Sequence, residues 1–155
     1  MLNIGDKAPE IIINNQDSEE IDVLKKAKAD NKSVVIYFYP KASTPGCTVQ
    51  SCALRDAMPE LEKLDAIVYG ISPDKEPALQ KFTQKHEFGF DLLADPDHTV
   101  SLDYDVWTEK SMFGKKYMGI VRSAFVISPD GLIKEAFYKI SPKDTVPKVE
   151  EALKS

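Results

Sequence analysis

The stretch Ser33–Pro40, "SVVIYFYP", constrains the fold more than any other. It is a continuous run of β-branched and aromatic residues without polar alternation. That pattern suits a strand covered on both faces, which requires helices above and below the sheet. The chain then alternates. "TPGCTVQSCALRDAMPELEKL" has helical spacing, with Cys47, Leu54, Met58, Leu61 and Leu64 recurring on one side. Thr44 stands at the capping position and Pro45 suits the first turn, while Pro59 predicts a bend or a division. "DAIVYGIS" reads as the next strand, "KEPALQKFTQKHEF" as a helix, "FDLLADP" as a short strand and "DHTVSLDYDV" as a short helix. "YMGIVRSAFVIS" and "GLIKEAFYKI" flank the turn signal "PDG", which predicts a hairpin. A last helix is expected over about Thr145–Leu153, and "EIIINNQDSEEIDV" predicts a hairpin near the start. The fold class is α/β, a mixed sheet flanked by helices. A single domain, 1–155, is expected, since 155 residues with 43% hydrophobic content suffice for one core.

Twenty basic and twenty-five acidic residues leave a net charge of −5, which disfavours nucleic acid or an anionic membrane as partner. The first residues, "MLNIGDKAPE", lack a basic region followed by an apolar stretch, and no apolar run approaches membrane-spanning length. A soluble, cytoplasmic setting is expected. There, a pair of cysteines points to redox or metal chemistry rather than to a permanent crosslink.

Both cysteines, Cys47 and Cys52, fall in "PKASTPGCTVQSCALR". Cys47 follows a strand and a tight turn and enters the first turn of a helix, where unpaired N–H groups and the helix dipole favour an anion. A thiol placed there is biased toward the attacking thiolate. Gly46 allows close approach of a small ligand, Thr44 offers a hydroxyl to the sulfur or a substrate oxygen, and Pro40 can wall off solvent. The alternative, a buried and inert cysteine, is weakened by the turn chemistry and the second cysteine. In an unbroken helix, Cys47 and Cys52 would have Cα atoms roughly 8.5 Å apart, beyond the limit of about 7 Å for a disulfide. Either they never bond, or the segment unwinds when they do. A cycling redox catalyst does the second: Cys47 is oxidised to a sulfenic acid and Cys52 condenses with it. Zinc would require four ligands, and only His86 and His98 remain, in separate elements and read as solvated or capping residues. No metal and no cofactor is expected. A thioredoxin-type dithiol would be spaced Cys-x-x-Cys, closer than this pair. A redox-sensing protein that binds clients after oxidation is a third reading.

"YPKASTPGCTVQSCALRD" resembles the active-site segment of the peroxiredoxins, whose pattern Pro-x-x-x-Thr/Ser-x-x-Cys is matched by Pro40, Thr44 and Cys47. The second cysteine five residues on is similar to the bacterioferritin comigratory protein (Q-type) branch. "GDKAPE", "YGISPD", "GIVRSAF" and the final "DG" extend the resemblance over nearly the whole chain. It implies a thioredoxin-like fold and a thiol peroxidase acting on hydrogen peroxide and alkyl hydroperoxides. It further implies resolution through a Cys47–Cys52 disulfide and recycling by thioredoxin. It also implies a monomer and a catalytic arginine, matched by Arg122. An arginine inside an apolar strand pattern needs an anionic partner, which a thiolate supplies. Many members of the branch carry an acidic residue where this chain has Gln50. An amide there can accept a hydrogen bond from Arg122 without neutralising its charge.

Overall fold

A computed structural model describes residues 1–155. Five strands form the central sheet: β3 (Ser33–Phe38), β4 (Ala66–Ser72), β5 (Asp91–Ala94), β8 (Ser123–Ile127) and β9 (Ile133–Phe137). Their order is β5-β4-β3-β8-β9, with β3, β4 and β5 mutually parallel and β8 and β9 antiparallel to their neighbours. The apolar run of residues 33–38 is therefore the middle strand. Its alternate side chains enter two separate cores. Val35 and Tyr37 join Leu54, Leu61, Leu79, Phe82 and Val149 on one face, whereas Val34, Ile36 and Phe38 join Val23, Val100 and Phe125 on the other.

Helices α2 (Pro45–Lys63), α3 (Glu76–His86) and α5 (Thr145–Lys154) supply the first core, and α1 (Val23–Asp30) and α4 (Thr99–Asp103) the second. A 3-10 turn, Pro142–Asp144, leads into α5. The predicted N-terminal hairpin is present as β1 (Ile12–Asn14) against β2 (Glu20–Asp22). The "PDG" turn joins β8 to β9, and a bulge lies between Val126 and Ile127.

The structure departs from the sequence expectations in three places. α2 runs through Pro59 as one helix, so of the bend or division expected there the division does not occur. α1 has no clear signal in the sequence. Asp22 caps it by accepting from the Lys25 N–H, and Asn31 ends it in the left-handed region, but its mostly charged surface hides its periodicity. "YMGIVRSAFVIS" is not one strand. The chain leaves an arm formed by β6 (Trp107–Met112) and β7 (Lys115–Ile120), breaks at Val121–Arg122, and only then enters the central sheet as β8. The backbone on either side of the break makes separate bonds: Val121 N–H to Val106 O (2.8 Å), and Ile140 N–H to Arg122 O (2.9 Å).

Candidate active site

β3 ends beneath the start of α2, and the connecting loop, residues 39–44, carries Pro40 and Thr44. Two features fix this loop. Ser43 adopts a left-handed conformation (φ 66°). Asp74, just past β4, accepts from the Ala42 N–H at 2.7 Å and from the Ser72 hydroxyl at 2.8 Å. Thr44 occupies the N-cap position with extended backbone, followed by Pro45 as the first helical residue. Its side chain does not cap. The Thr44 hydroxyl donates instead to Lys41 O at 2.8 Å, which leaves its oxygen free to accept. The first intrahelical bond runs from Thr48 N–H to Thr44 O (2.9 Å), so the N–H groups of Gly46 and Cys47 precede the helical ladder.

Cys47 is buried (1% exposed), and both cysteines are free thiols. Arg122 meets Cys47 from the break between β7 and β8. Its Nη2 lies 3.4 Å from Cys47 Sγ, and its Nη1 donates to Gln50 Oε1 at 2.7 Å. Gln50 is fully buried, and its amide donates to Thr145 Oγ1 at 3.0 Å; that hydroxyl donates to Ser141 O at 2.9 Å. One planar guanidinium thus bridges sulfur and amide. The amide ties the helix start to the last helix. A methyl group on Gly46 would stand 3.2 Å from Arg122 Nη2, so glycine is what lets the cation approach.

The second turn of α2 is held differently. The fully buried Ser51 hydroxyl shares a 2.8 Å hydrogen bond with the Tyr37 hydroxyl, whose ring faces Gly70 across the sheet. A Cβ at Gly70 would lie 2.7 Å from that ring. Burial pushes the Tyr37 phenol far above its ordinary range, so it remains a neutral hydrogen-bonding group. Cys52 is half-buried with its Sγ 3.7 Å from His86 Nδ1. Arg55 pairs with Asp56 at 3.0 Å, as its sequence neighbours suggest, and also donates to His86 O at 2.9 Å. A cleft of about 880 Å³ runs beneath the β6–β7 arm and reaches Arg122, with Lys110, Tyr117, Val121 and Ile140 among its walls. Burial and the nearby Arg122 lower the pKa of Lys110 there.

Among the expected residues, Cys47 and Arg122 are in direct contact, and Pro40 and Thr44 occupy the loop that leads into the same helix. Cys52 stands one turn further along α2. Three residues of this site carry little or no signal in the sequence. Asp74 follows the strand in "YGISPD", where a carboxylate after a serine is the available signal. Thr145 carries none, because its partner is 95 positions away. The sequence leads one to expect His86 to be solvated or capping. Instead it packs on Phe88 with ring centroids 5.5 Å apart, and so presents Nδ1 to the second thiol. No group of three or more His, Cys, Asp or Glu side chains is placed to hold a metal ion. No helix is long and apolar enough to cross a membrane.

A thioredoxin-like mixed sheet that presents a reduced thiol at a helix start, against an arginine, defines a thiol-dependent oxidoreductase. The AhpC/TSA family model matches residues 4–136, and the chain belongs to that family. It is 46% identical over 136 residues to Peroxiredoxin Bcp of Escherichia coli, covering 88% of this chain and 85% of that protein. Peroxiredoxin Bcp of Bacillus subtilis is 39% identical over 153 residues, covering 99% and 96%. Among solved structures, the Xanthomonas campestris bacterioferritin comigratory protein, studied for alkyl peroxide reduction, superposes with a TM-score of 0.85. It is 33% identical, with 93% of this chain and 90% of that one covered. A cysteine-to-serine variant of Xylella fastidiosa PrxQ gives 0.88 at 30% identity, covering 99% and 96%. The chain is a thiol peroxidase of the peroxiredoxin kind.

Proposed function

We propose that Cys47 is the peroxide-attacking thiol, that Arg122, Thr44 and Pro40 form its site, and that Cys52 resolves the oxidised product. The observation that carries this reading is the 3.4 Å contact between Arg122 Nη2 and Cys47 Sγ at the start of α2. The cation and the unpaired first-turn N–H groups stabilise negative charge on sulfur and on a peroxide oxygen as its bond breaks. Thr44 Oγ1, its proton committed to Lys41 O, is left as an acceptor for the hydroperoxide proton. Pro40 donates nothing and limits water at the loop.

The Cys47 thiolate attacks the terminal oxygen, the O–O bond breaks, and the departing alkoxide leaves as alcohol, or as water from hydrogen peroxide. Cys47 is now a sulfenic acid. The first turn of α2 then unwinds, because an intact helix keeps Cα atoms five residues apart at roughly 8.5 Å. The Cys52 sulfur attacks, water leaves, and a disulfide forms. A dithiol protein of the thioredoxin kind reduces it and completes the cycle. The substrates are hydrogen peroxide and alkyl hydroperoxides, the latter class in keeping with the X. campestris relative and with the cleft that reaches Arg122. The protein acts as a single domain and a monomer in a reducing, cytoplasmic compartment.

A thioredoxin-coupled peroxidase assay tests this. Cys47→Ser is expected to abolish turnover. Cys52→Ser is expected to consume one equivalent of peroxide and then stop. Normal cycling of Cys52→Ser with thioredoxin would remove Cys52 from the resolving role.

A further inference from the structure

We infer that His86 is a catalytic residue of the resolving step, taking the proton from Cys52 as its sulfur attacks the Cys47 sulfenic acid. The inference rests on Cys52 being the resolving thiol and adds the base that the step requires. His86 Nδ1 is 3.7 Å from Cys52 Sγ, within hydrogen-bond range for sulfur. A thiol donating to the imidazole and an imidazolium donating to the thiolate place the same proton between the same two atoms.

The ring is fixed rather than free. It lies nearly parallel to Phe88 (23° between planes) and edge-on to Phe82, at centroid distances of 5.5 and 5.4 Å. Its backbone carbonyl accepts from Arg55 of α2 at 2.9 Å, which ties the end of α3 to the helix bearing Cys52. Charged groups around the pair are Arg55 and Asp56 on α2, with Lys85 and Glu87 beside His86; from β3, the neutral Tyr37 lies within electrostatic reach of Cys52. Arg55, also within reach of Cys52, favours negative charge building on that sulfur.

Closure by motion of the opening turn alone keeps this arrangement in place. Cys52 is flanked by Ser51, bonded to Tyr37, and lies near Leu54, both fully buried. The opening turn is held differently, through the Cys47–Arg122 contact and the Gln50–Thr145 bond, while Pro45 and Val49 on its outer side are exposed. Cys47 therefore travels while Cys52 stays against His86. In the step itself, Cys52 Sγ forms a bond to Cys47 Sγ and the Cys47 S–O bond breaks. The hydroxide leaves as water after taking a proton, and the proton lost by Cys52 resides on His86 until solvent removes it. The sulfenic sulfur is reduced and the thiol sulfur oxidised, with no further electron donor needed.

The test is a single-turnover reaction of the full protein with hydrogen peroxide, quenched by thiol alkylation. Mass spectrometry then separates Cys47 oxidation from Cys47–Cys52 closure. His86→Phe retains an aromatic ring for the stack and removes the nitrogen; His86→Gln is the second variant, since an amide cannot take the proton. Both are expected to leave Cys47 oxidation unchanged and to slow closure about tenfold or more. Added imidazole is expected to restore closure in His86→Ala and to leave the parent chain unaffected. Unchanged closure in both His86→Phe and His86→Gln, or slow closure in His86→Ala that imidazole does not relieve, overturns the inference with Cys52 still the resolving thiol. Sustained thioredoxin-coupled cycling by Cys52→Ser defeats the underlying reading itself.

Discussion

Arg122 Nη1 donates to Gln50 Oε1 at 2.7 Å, while the other terminal nitrogen of the same guanidinium contacts Cys47 sulfur. The amide fixes the plane of the cation without cancelling its charge, so the field at the sulfur depends on both residues.

Removing the cation tests the first half of that statement. Arg122→Met is expected to slow peroxide reduction by about a hundredfold, the usual effect of deleting one group that stabilises a developing oxyanion. Arg122→Lys retains charge but cannot reach sulfur and amide together, and is expected to fall between. Stopped-flow measurement of peroxide consumption in the first turnover reads both.

Gln50→Leu tests the second half. It leaves an Arg122 N–H and the Thr145 hydroxyl short of a partner in a buried setting, at a cost of about 1–3 kcal/mol for an unmade buried hydrogen bond. Urea denaturation is expected to show that loss, together with slower oxidation of Cys47.

Gly70→Ala is expected to destabilise the fold by about 1–3 kcal/mol, as overpacked substitutions do. The added methyl group would lie 2.7 Å from the Tyr37 ring. Pairing it with Tyr37→Leu is expected to recover part of the loss in a denaturation series, because the colliding ring is gone.

Alkaline pH is a fourth probe. Burial drives the phenols of Tyr37, Tyr39 and Tyr104 far up and that of Tyr69 to about 12. Each folded value exceeds the unfolded one near 10.0. The stability they confer is thus complete below that pH and is lost as pH climbs toward the folded values, since the unfolded chain releases its protons first. Each tyrosine contributes a slope of about 1.4 kcal/mol per pH unit in that window. Denaturation midpoints measured through it are expected to fall steeply, and less steeply in Tyr104→Phe.

What the sequence disclosed follows from how local each feature is. The run at residues 33–38 announced the middle strand because a doubly buried strand has no polar positions to hide it. Pro45 and Gly46 marked the helix start through backbone rules that act within a few residues. Arg122 is legible through resemblance, but its setting is not. An apolar run cannot reveal that the chain changes sheets at Val121, since both halves remain β-rich. Gln50–Thr145 and Cys52–His86 span 95 and 34 positions, and such pairs exist only once the helices have packed.

The Arg122–sulfur contact also makes Cys47 part of what holds its own helix turn in place. In the reduced protein that contact and the Gln50–Thr145 link tether the opening turn of α2, whose outer residues have little apolar cover. Under the proposed cycle the reacting sulfur is itself one of the two ties on that turn, so the step that oxidises it also alters the tie. Reaction and release of the turn would then share a single atom.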